Sequence, residues 1–308
     1  MGGNVFDRNW DATVRNAAFE WLRAQVDIHG DVLPRTLLAA GFKLDGRRVP
    51  LVSPQGIFKP QVLAGAPLSI TTAPDGPYDD TFGPNDLLRY RYRGTDPDHA
   101  DNRRLRFAMQ ERLPLVYLHG IVRGKYVPAW PVFVVGDDRT GLTFTIAVDD
   151  TRHLWPSVGG HAPAVHDSRQ EVRRQYATAA VRQRLHQRAF RERVLDAYRH
   201  QCAFCRFRHA ELLDAAHIVP DSEQGEPTVA NGLALCKLHH AAFDRYFLGV
   251  RPDYVVQVRP DLLQESDGPT LVHGIQAMHG MRITVPRRPT LRPAQDLLET
   301  RYQKFRLA

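Results

Sequence analysis

All three cysteines of the chain fall in pairs with metal-ligand spacing. Cys202-Ala-Phe-Cys205 is one pair, and Cys236-Lys-Leu-His239 is the other. Two such pairs can close a tetrahedral Zn²⁺ site, each half turning tightly around the ion. An odd cysteine count with Cys-x-x-Cys spacing suits a metal site better than a disulfide framework. Four protein donors leave no open coordination position, so the zinc expected on Cys202, Cys205, Cys236 and His239 is structural.

A second set of polar residues is threaded between and just beyond these pairs. AspAlaAlaHisIleValPro occupies 214–220, AlaAsnGlyLeuAlaLeuCys 230–236 and HisHisAlaAlaPheAsp 239–244. The order His217, Asn231, His240 resembles the HNH (ββα-metal) nucleases, above all the McrA-like branch. The resemblance covers roughly 60 residues and implies hydrolysis of DNA phosphodiester bonds. It makes His217 the general base for the attacking water. It gives Asn231 the task of orienting that histidine or bracing its loop. It also places His240 on the helix as a ligand of the catalytic ion. The Cys-x-x-His spacing claims His239 for zinc and leaves its neighbour His240 for catalysis.

Asp244 stands one helical turn beyond His240 on the same face. It is either a second ligand or a partner holding His240. Many HNH enzymes carry a metal-binding Asp immediately before the base histidine. That position is Ala216 here, and Asp214 lies two residues earlier on the same strand face. The expected catalytic ion therefore rests on His240, Asp244 and Asp214. A histidine ligand widens the choice from Mg²⁺ to Mn²⁺, Co²⁺ or Ni²⁺.

The surrounding pattern must position these groups. With 308 residues the chain is long enough for two domains. Asp11 to Val26 reads as an amphipathic helix capped by Asp11, with Ala12, Ala17, Phe19, Leu22 and Val26 on one face. A short helix follows from Pro34 to Ala40. Apolar runs at 67–70, 113–118, 130–135 and 142–148 alternate with Gly, Pro and Asp clusters, which predicts a β-rich domain. The stretch 155–163 reads as a linker. An arginine-rich helix from Asp167 to about Tyr198 follows, suited to solvation and to phosphate contact. The end of the chain reads as strands at 254–258 and 281–285, a proline-rich link and a final helix. The expected division is a helical extension (1–48), a β-domain (49–152), a basic helical linker (153–190) and the nuclease domain with its extension (191–308).

Within the β-domain, the segments at 68–80, 88–96 and 101–109 resemble the SRA family. That likeness implies an SRA/PUA-like β-barrel with flanking helices in an α+β protein, one that flips 5-methylcytosine out of duplex DNA. Base flipping requires two stacking faces and a polar edge reader. The implied pocket is Tyr78 and Tyr92 as stacking rings (with Tyr90 as an alternative), Asp79 or Asp80 on the cytosine edge, and Arg93 beside them. Arg89, Arg91, Arg103 and Arg104 form a basic patch for the DNA backbone. SRA and HNH units together resemble the modification-dependent type IV restriction endonucleases, the ScoMcrA-like proteins among them. The implied partner is double-stranded DNA carrying 5-methylcytosine or 5-hydroxymethylcytosine, cut by a homodimer if both strands are to be broken.

Lys and Arg outnumber Asp and Glu by 41 to 34, a net charge of +7 that is compatible with a polyanionic partner. The first residues lack an apolar signal-peptide core, and no run approaches the ~18 apolar residues of a membrane span. A cytoplasmic protein with no membrane association is the expectation.

Overall fold

The computed structural model describes residues 6–74, 87–148 and 167–308, with the backbone alone for 167–177. Tyr78, Asp79 and Asp80 lie outside the described residues, as does the expected linker at 155–163. The chain divides into two compact units, Met1–Leu185 and His186–Ala308.

The first unit opens with helix α1 (Arg8–His29). Its cap is Asp7 rather than Asp11: the Asp7 carboxylate accepts from the Asn9 and Trp10 amides at 2.9 and 3.2 Å. Asp11 is drawn into the core instead, where it pairs with buried Arg15 one turn on. Arg15 in turn donates to the carbonyls of Pro67 and Pro114 at 3.0 and 2.7 Å. The buried stripe is therefore Asp11, Val14, Arg15, Ala18 and Leu22, while Ala12 faces solvent.

Next come β1 (Leu33–Pro34), α2 (Arg35–Ala40), β2 (Phe42–Leu44), β3 (Arg47–Val49), β4 (Ile57–Phe58) and β5 (Ser69–Thr72). They are followed by β6 (Leu88–Arg91), α3 (Ala100–Gln110), β7 (Leu115–Val122), β8 (Lys125–Asp138) and β9 (Thr143–Val148). A seven-stranded sheet runs β4-β5-β7-β8-β9-β6, with β1 added beside β8. Only the β5–β7 pair on this path is parallel. The sheet curls until the Tyr90 hydroxyl on β6 reaches the Thr71 carbonyl on β5 at 3.4 Å. Among the described residues β4 and β6 do not pair, and the described strands form a curled sheet. Both edges are short, which limits the ladder that could close it.

Helix α4 (Asp167–Ala197) contributes to both units, with the division falling after Leu185. In the first unit its Thr178, Val181 and Leu185 pack on Leu88, Tyr117, Ala129, Val132, Ile146 and Val148. The gap left between them is about 10 Å³, room for about one water. The Thr178 hydroxyl accepts from the Val148 amide at 3.1 Å.

The second unit is built on an antiparallel hairpin of β10 (Leu213–His217) and β11 (Gly232–Cys236), in register from Leu213↔Cys236 to His217↔Gly232. Helix α5 (Lys237–Asp244) starts directly from Cys236 and packs back on the hairpin. Then come β12 (Leu248–Val250), β13 (Val256–Val258), α6 (Pro260–Gln264), α7 (Pro269–Gly274) and α8 (Gln295–Leu307). Residues 281–285 do not form the expected strand. They make one bridge, Val255↔Arg282, and then turn away as the Thr284 amide donates to the Ala203 carbonyl at 2.8 Å. The core joins Phe190 and Val194 of α4, and Tyr198 just past its end, to Leu213, Ala216, Leu233, Leu235, Phe243 and Leu298. Gly232 is required where α4 meets β11, because a Cβ there would stand 2.5 Å from a Val194 methyl.

No helix among the described residues is long and apolar enough to cross a membrane.

Candidate active site and metal centres

The knuckle at 202–207 is a tight backbone turn. The Arg206 amide donates to the Cys202 carbonyl and the Cys202 amide to the Phe207 carbonyl, both at 2.9 Å. The Ala203 amide ties the turn to β11 through the Ala234 carbonyl at 2.7 Å. Cys236 ends β11 and precedes the first residue of α5, so the hairpin and the helix start deliver the second pair. The ligand atoms of Cys202, Cys205, Cys236 and His239 lie within 4.8 Å of one another. Cys205 and Cys236 sulfurs are 4.0 Å apart, and His239 Nδ1 is 3.4 Å from Cys202 Sγ and 3.2 Å from Cys236 Sγ. Tetrahedral zinc with its usual bond lengths sets S–S at about 3.8 Å and S–N at about 3.5 Å. The donor set therefore fits zinc in both chemistry and spacing. His239 is buried, and its Nε2 donates to the Gly274 carbonyl at 2.8 Å. That bond fixes the tautomer and leaves the Nδ1 lone pair for the ion.

The adjacent histidine points elsewhere. His240 Nε2 lies 3.3 Å from Asp244 Oδ2, and its Nδ1 lies 3.7 Å from Asp214 Oδ2. Those two carboxylates raise its pKa to about 9 when no cation shares them. Asp214 also meets Lys237 at 2.8 Å and Arg191 at 3.4 Å. Although burial opposes its charge, hydrogen bonds from His240 and Lys237 hold it well below the ordinary carboxylate range. Arg191 further donates to the Leu213 carbonyl at 2.8 Å, so this arginine of α4 supports β10 from within the unit.

His217 ends β10, its ring stacked on Phe190 with centroids 3.9 Å apart and planes 10° apart. Its Nε2 is buried without a hydrogen bond, although Asp221 Oδ1 approaches to 3.4 Å. Burial lowers its pKa below the ordinary 6.5; Asp221 opposes this, while the nearby His240 charge adds to it. Its surroundings thus favour the neutral imidazole that a proton acceptor requires. The Ala216 side chain is fully buried in the core.

Asn231 does not touch His217; it braces the loop. Its Oδ1 accepts from the Val219 amide, and its Nδ2 donates to the Val219 and Glu226 carbonyls, all at 2.9 Å. Its own carbonyl accepts from the Ile218 amide, one residue past His217, at 2.9 Å. Asn231→Ala would leave three loop groups unpartnered and should destabilise the unit by about 2–4 kcal/mol. Urea unfolding of the full chain followed by tryptophan-independent circular dichroism checks this, and a change under 1 kcal/mol would refute the bracing role.

The tyrosines expected to stack on a base are placed otherwise. Tyr92 is 2% exposed, with its ring 4.5 Å from that of Phe144. Its hydroxyl bonds Asp137 and accepts from Arg106 at 3.2 Å. Tyr90 is also buried. A stacking residue needs an open ring face, so both are core residues of the curled sheet. Arg93 pairs with buried Asp101, and Asn102 staples the β6–α3 loop through the Arg93 and Asp96 carbonyls. Arg104 bonds Asp101 at 2.7 Å and Arg103 the Asp98 carbonyl at 2.9 Å. Arg89 and Arg91 point outward from β6.

Sequence reasoning passed over Arg301 of α8. Its guanidinium reaches the Ile218 and Phe243 carbonyls at 3.2 and 2.8 Å and lies 3.6 Å from Asp244 Oδ1. An arginine in a terminal helix carries no local signal of such reach.

Residues 202–251 match the family model described as HNH endonuclease. That segment is an HNH endonuclease domain. Among solved structures, the chain is similar to one described as a modification dependent TagI restriction endonuclease. Identity is 17% and the TM-score 0.29, over 92% of this chain and 90% of that one. It is also similar to a structure of the type IV phosphorothioation-dependent restriction endonuclease ScoMcrA. There identity is 14% and the TM-score 0.21, over 79% of this chain and 51% of that one. Scores this low define neither the fold nor the activity of the chain. No curated protein matches it.

Proposed function

We propose that the chain is a DNA endonuclease in which His217 activates the attacking water beside a divalent ion held by His240 and Asp244. The observation that carries this reading is the placement of His217, half-buried and stacked on Phe190, together with the His240–Asp244 couple inside the HNH-matching segment. An imidazole nitrogen and a carboxylate oxygen 3.3 Å apart suit a borderline-to-hard divalent cation. Such an ion, when bound, stabilises the negative charge that develops on the phosphate and on the leaving oxygen. His217 takes the water's proton, and its stack on Phe190 fixes the ring plane. The two nitrogens of His240 face away from each other, so one ion cannot share both carboxylates with this ring. Asp244, one turn along α5 with Oδ2 3.3 Å from Nε2, is the closer of the two and serves as the ligand. Asp214, with Oδ2 3.7 Å from Nδ1, then orients the ring by charge, with Lys237 and Arg191 holding Asp214 in turn. Cys202, Cys205, Cys236 and His239 hold zinc and fix the start of α5.

The finer reading is dependence on cytosine modification, with selection by the first unit. Its support is the Tyr78–Asp79–Asp80 element of the sequence, with Arg89 and Arg91 on the outward face of β6. Tyr90 and Tyr92 take no part in it. The test is digestion of one plasmid prepared unmodified, 5-methylcytosine-modified, 5-hydroxymethylcytosine-modified and phosphorothioated, with Mn²⁺ present. Preferential cutting of the methylated forms is expected. Equal cutting of all four would leave an endonuclease without modification dependence, and preference for the phosphorothioated form would replace the base reader with a backbone reader. Linear product beyond nicked circles would show that two copies, or two visits, serve the two strands.

A further inference from the structure

The charged group least expected in the nuclease unit is Arg301. The residue is 7% exposed, and burying a guanidinium costs several kcal/mol unless partners compensate. Helix α8 does not need it for anchorage, because Leu298 and Phe305 on the same helix are already buried. An apolar residue of similar volume would ordinarily serve a packing role as well or better. The partners of Arg301 are instead drawn from the two elements that carry the proposed chemistry.

One arm donates to the Ile218 carbonyl, one residue past His217, at 3.2 Å. The other donates to the Phe243 carbonyl, in the last turn of α5, at 2.8 Å. The same nitrogen stands 3.6 Å from Asp244 Oδ1. The guanidinium plane is wedged by the Phe243 ring at 3.9 Å and the Tyr246 ring at 5.0 Å from its centre. The oxygens of Asp244 are thereby divided: Oδ1 faces Arg301 and Oδ2 faces His240 Nε2. Asp244 is otherwise half in solvent, with 55% of its side chain exposed. Without a fixed partner, a side chain so exposed samples several rotamers.

We propose that Arg301 is a positioning residue for the catalytic ion, turning the Asp244 carboxylate so that Oδ2 stands beside His240 and locking the base strand to the metal helix. This rests on the assignment of His240 and Asp244 as the ion's ligands. Arg301 lies outside the HNH-matching segment and, being buried, cannot itself reach a phosphate.

The test uses the full zinc-loaded chain and Mn²⁺ itself as probe. Free Mn²⁺ is titrated by electron paramagnetic resonance without DNA for the wild type, Arg301→Met, Arg301→Lys, Asp244→Ala and the Arg301→Met/Asp244→Ala double variant. Arg301→Met should weaken Mn²⁺ binding by roughly tenfold, the scale of a lost partner behind a ligand. Arg301→Lys should recover part of the loss, and the double variant should bind no more weakly than Asp244→Ala alone. The Mn²⁺ concentration for half-maximal cutting should move in parallel, while DNA affinity in Ca²⁺ stays within about twofold. If Arg301→Met lowers the melting temperature but leaves Mn²⁺ binding unchanged, Arg301 is only structural. If it weakens DNA binding with Mn²⁺ unchanged, it is a phosphate contact; Mn²⁺ binding insensitive to Asp244→Ala also overturns the proposal. Should Arg301→Met fail to fold, the Lys variant carries the same comparison. A wild type that binds Mn²⁺ through Asp244 yet cuts nothing would sink the nuclease reading and leave this inference standing.

Discussion

His217→Ala should lower the rate of DNA cutting by about 10²–10⁴-fold, the usual worth of a positioned general base. Binding to the same DNA should be unchanged, because the ring contacts Phe190 within the protein and contributes no charge at neutral pH. The pH dependence follows from the same burial. A base works only when deprotonated, and desolvation pushes His217 below its ordinary 6.5. At saturating metal, cutting should therefore rise with pH along a limb centred below 6.5 and stay flat from there through neutrality. A divalent ion beside His240 adds positive charge and moves that limb further down. A limb centred above 7 would mean that another group sets the protonation state. A His217→Ala variant that cuts at the wild-type rate would remove His217 from the chemistry.

Loss of the zinc should have the largest structural effect. The four donors join the knuckle at 202–205, the end of β11 and the first turn of α5. Structural zinc in small modules contributes about 10–16 kcal/mol to folding, more than most domains hold in reserve. Chelation, or Cys236→Ser, should thus abolish the cooperative unfolding of the second unit and release one zinc per chain. His240 and Asp244 are affected at once, because α5 begins at the residue after Cys236. Added Mg²⁺ or Mn²⁺ should not restore the fold, since thiolates prefer softer ions. Metal analysis by plasma emission alongside a calorimetric scan reads both quantities. A chelated protein with an unchanged scan would show that the cysteines are only packed thiols.

The parts of this molecule legible in sequence are those where chemistry imposes spacing. Zinc demands two close pairs, so Cys202, Cys205, Cys236 and His239 stand out, and the hairpin-then-helix order of the HNH segment fixes where His217 and His240 fall. An amide side chain such as Asn231 serves a catalytic ring or a loop equally well, and three bonds to 219–226 decide for the loop. Elsewhere local pattern and tertiary contact diverge. Alternating Arg and Tyr at 89–92 fits a nucleic-acid face and equally a half-buried strand, and only the contacts of Tyr92 with Phe144 and Asp137 separate the two. Asp11 has the right residue type for a cap, but Asp7 does the same work one turn earlier while Arg15 claims Asp11. Residues 281–285 have strand propensity, yet the Ile283 amide bonds the Tyr254 carbonyl and the Thr284 amide then turns to the Ala203 carbonyl of the cysteine knuckle. Arg301 acts 58 residues away from the Phe243 carbonyl it holds, a tertiary contact with no local pattern.

In the proposed mechanism the second unit cuts DNA with a divalent ion at His240 and Asp244. The most direct measurement is single-turnover cutting of an end-labelled duplex by the zinc-loaded chain, with Mg²⁺, Mn²⁺, Co²⁺ or Ni²⁺ added in turn and with chelator as control. Strand cleavage that requires one of these ions and disappears in His240→Ala is the predicted result. A folded, zinc-replete protein that binds the duplex and leaves it intact with every ion would contradict the account.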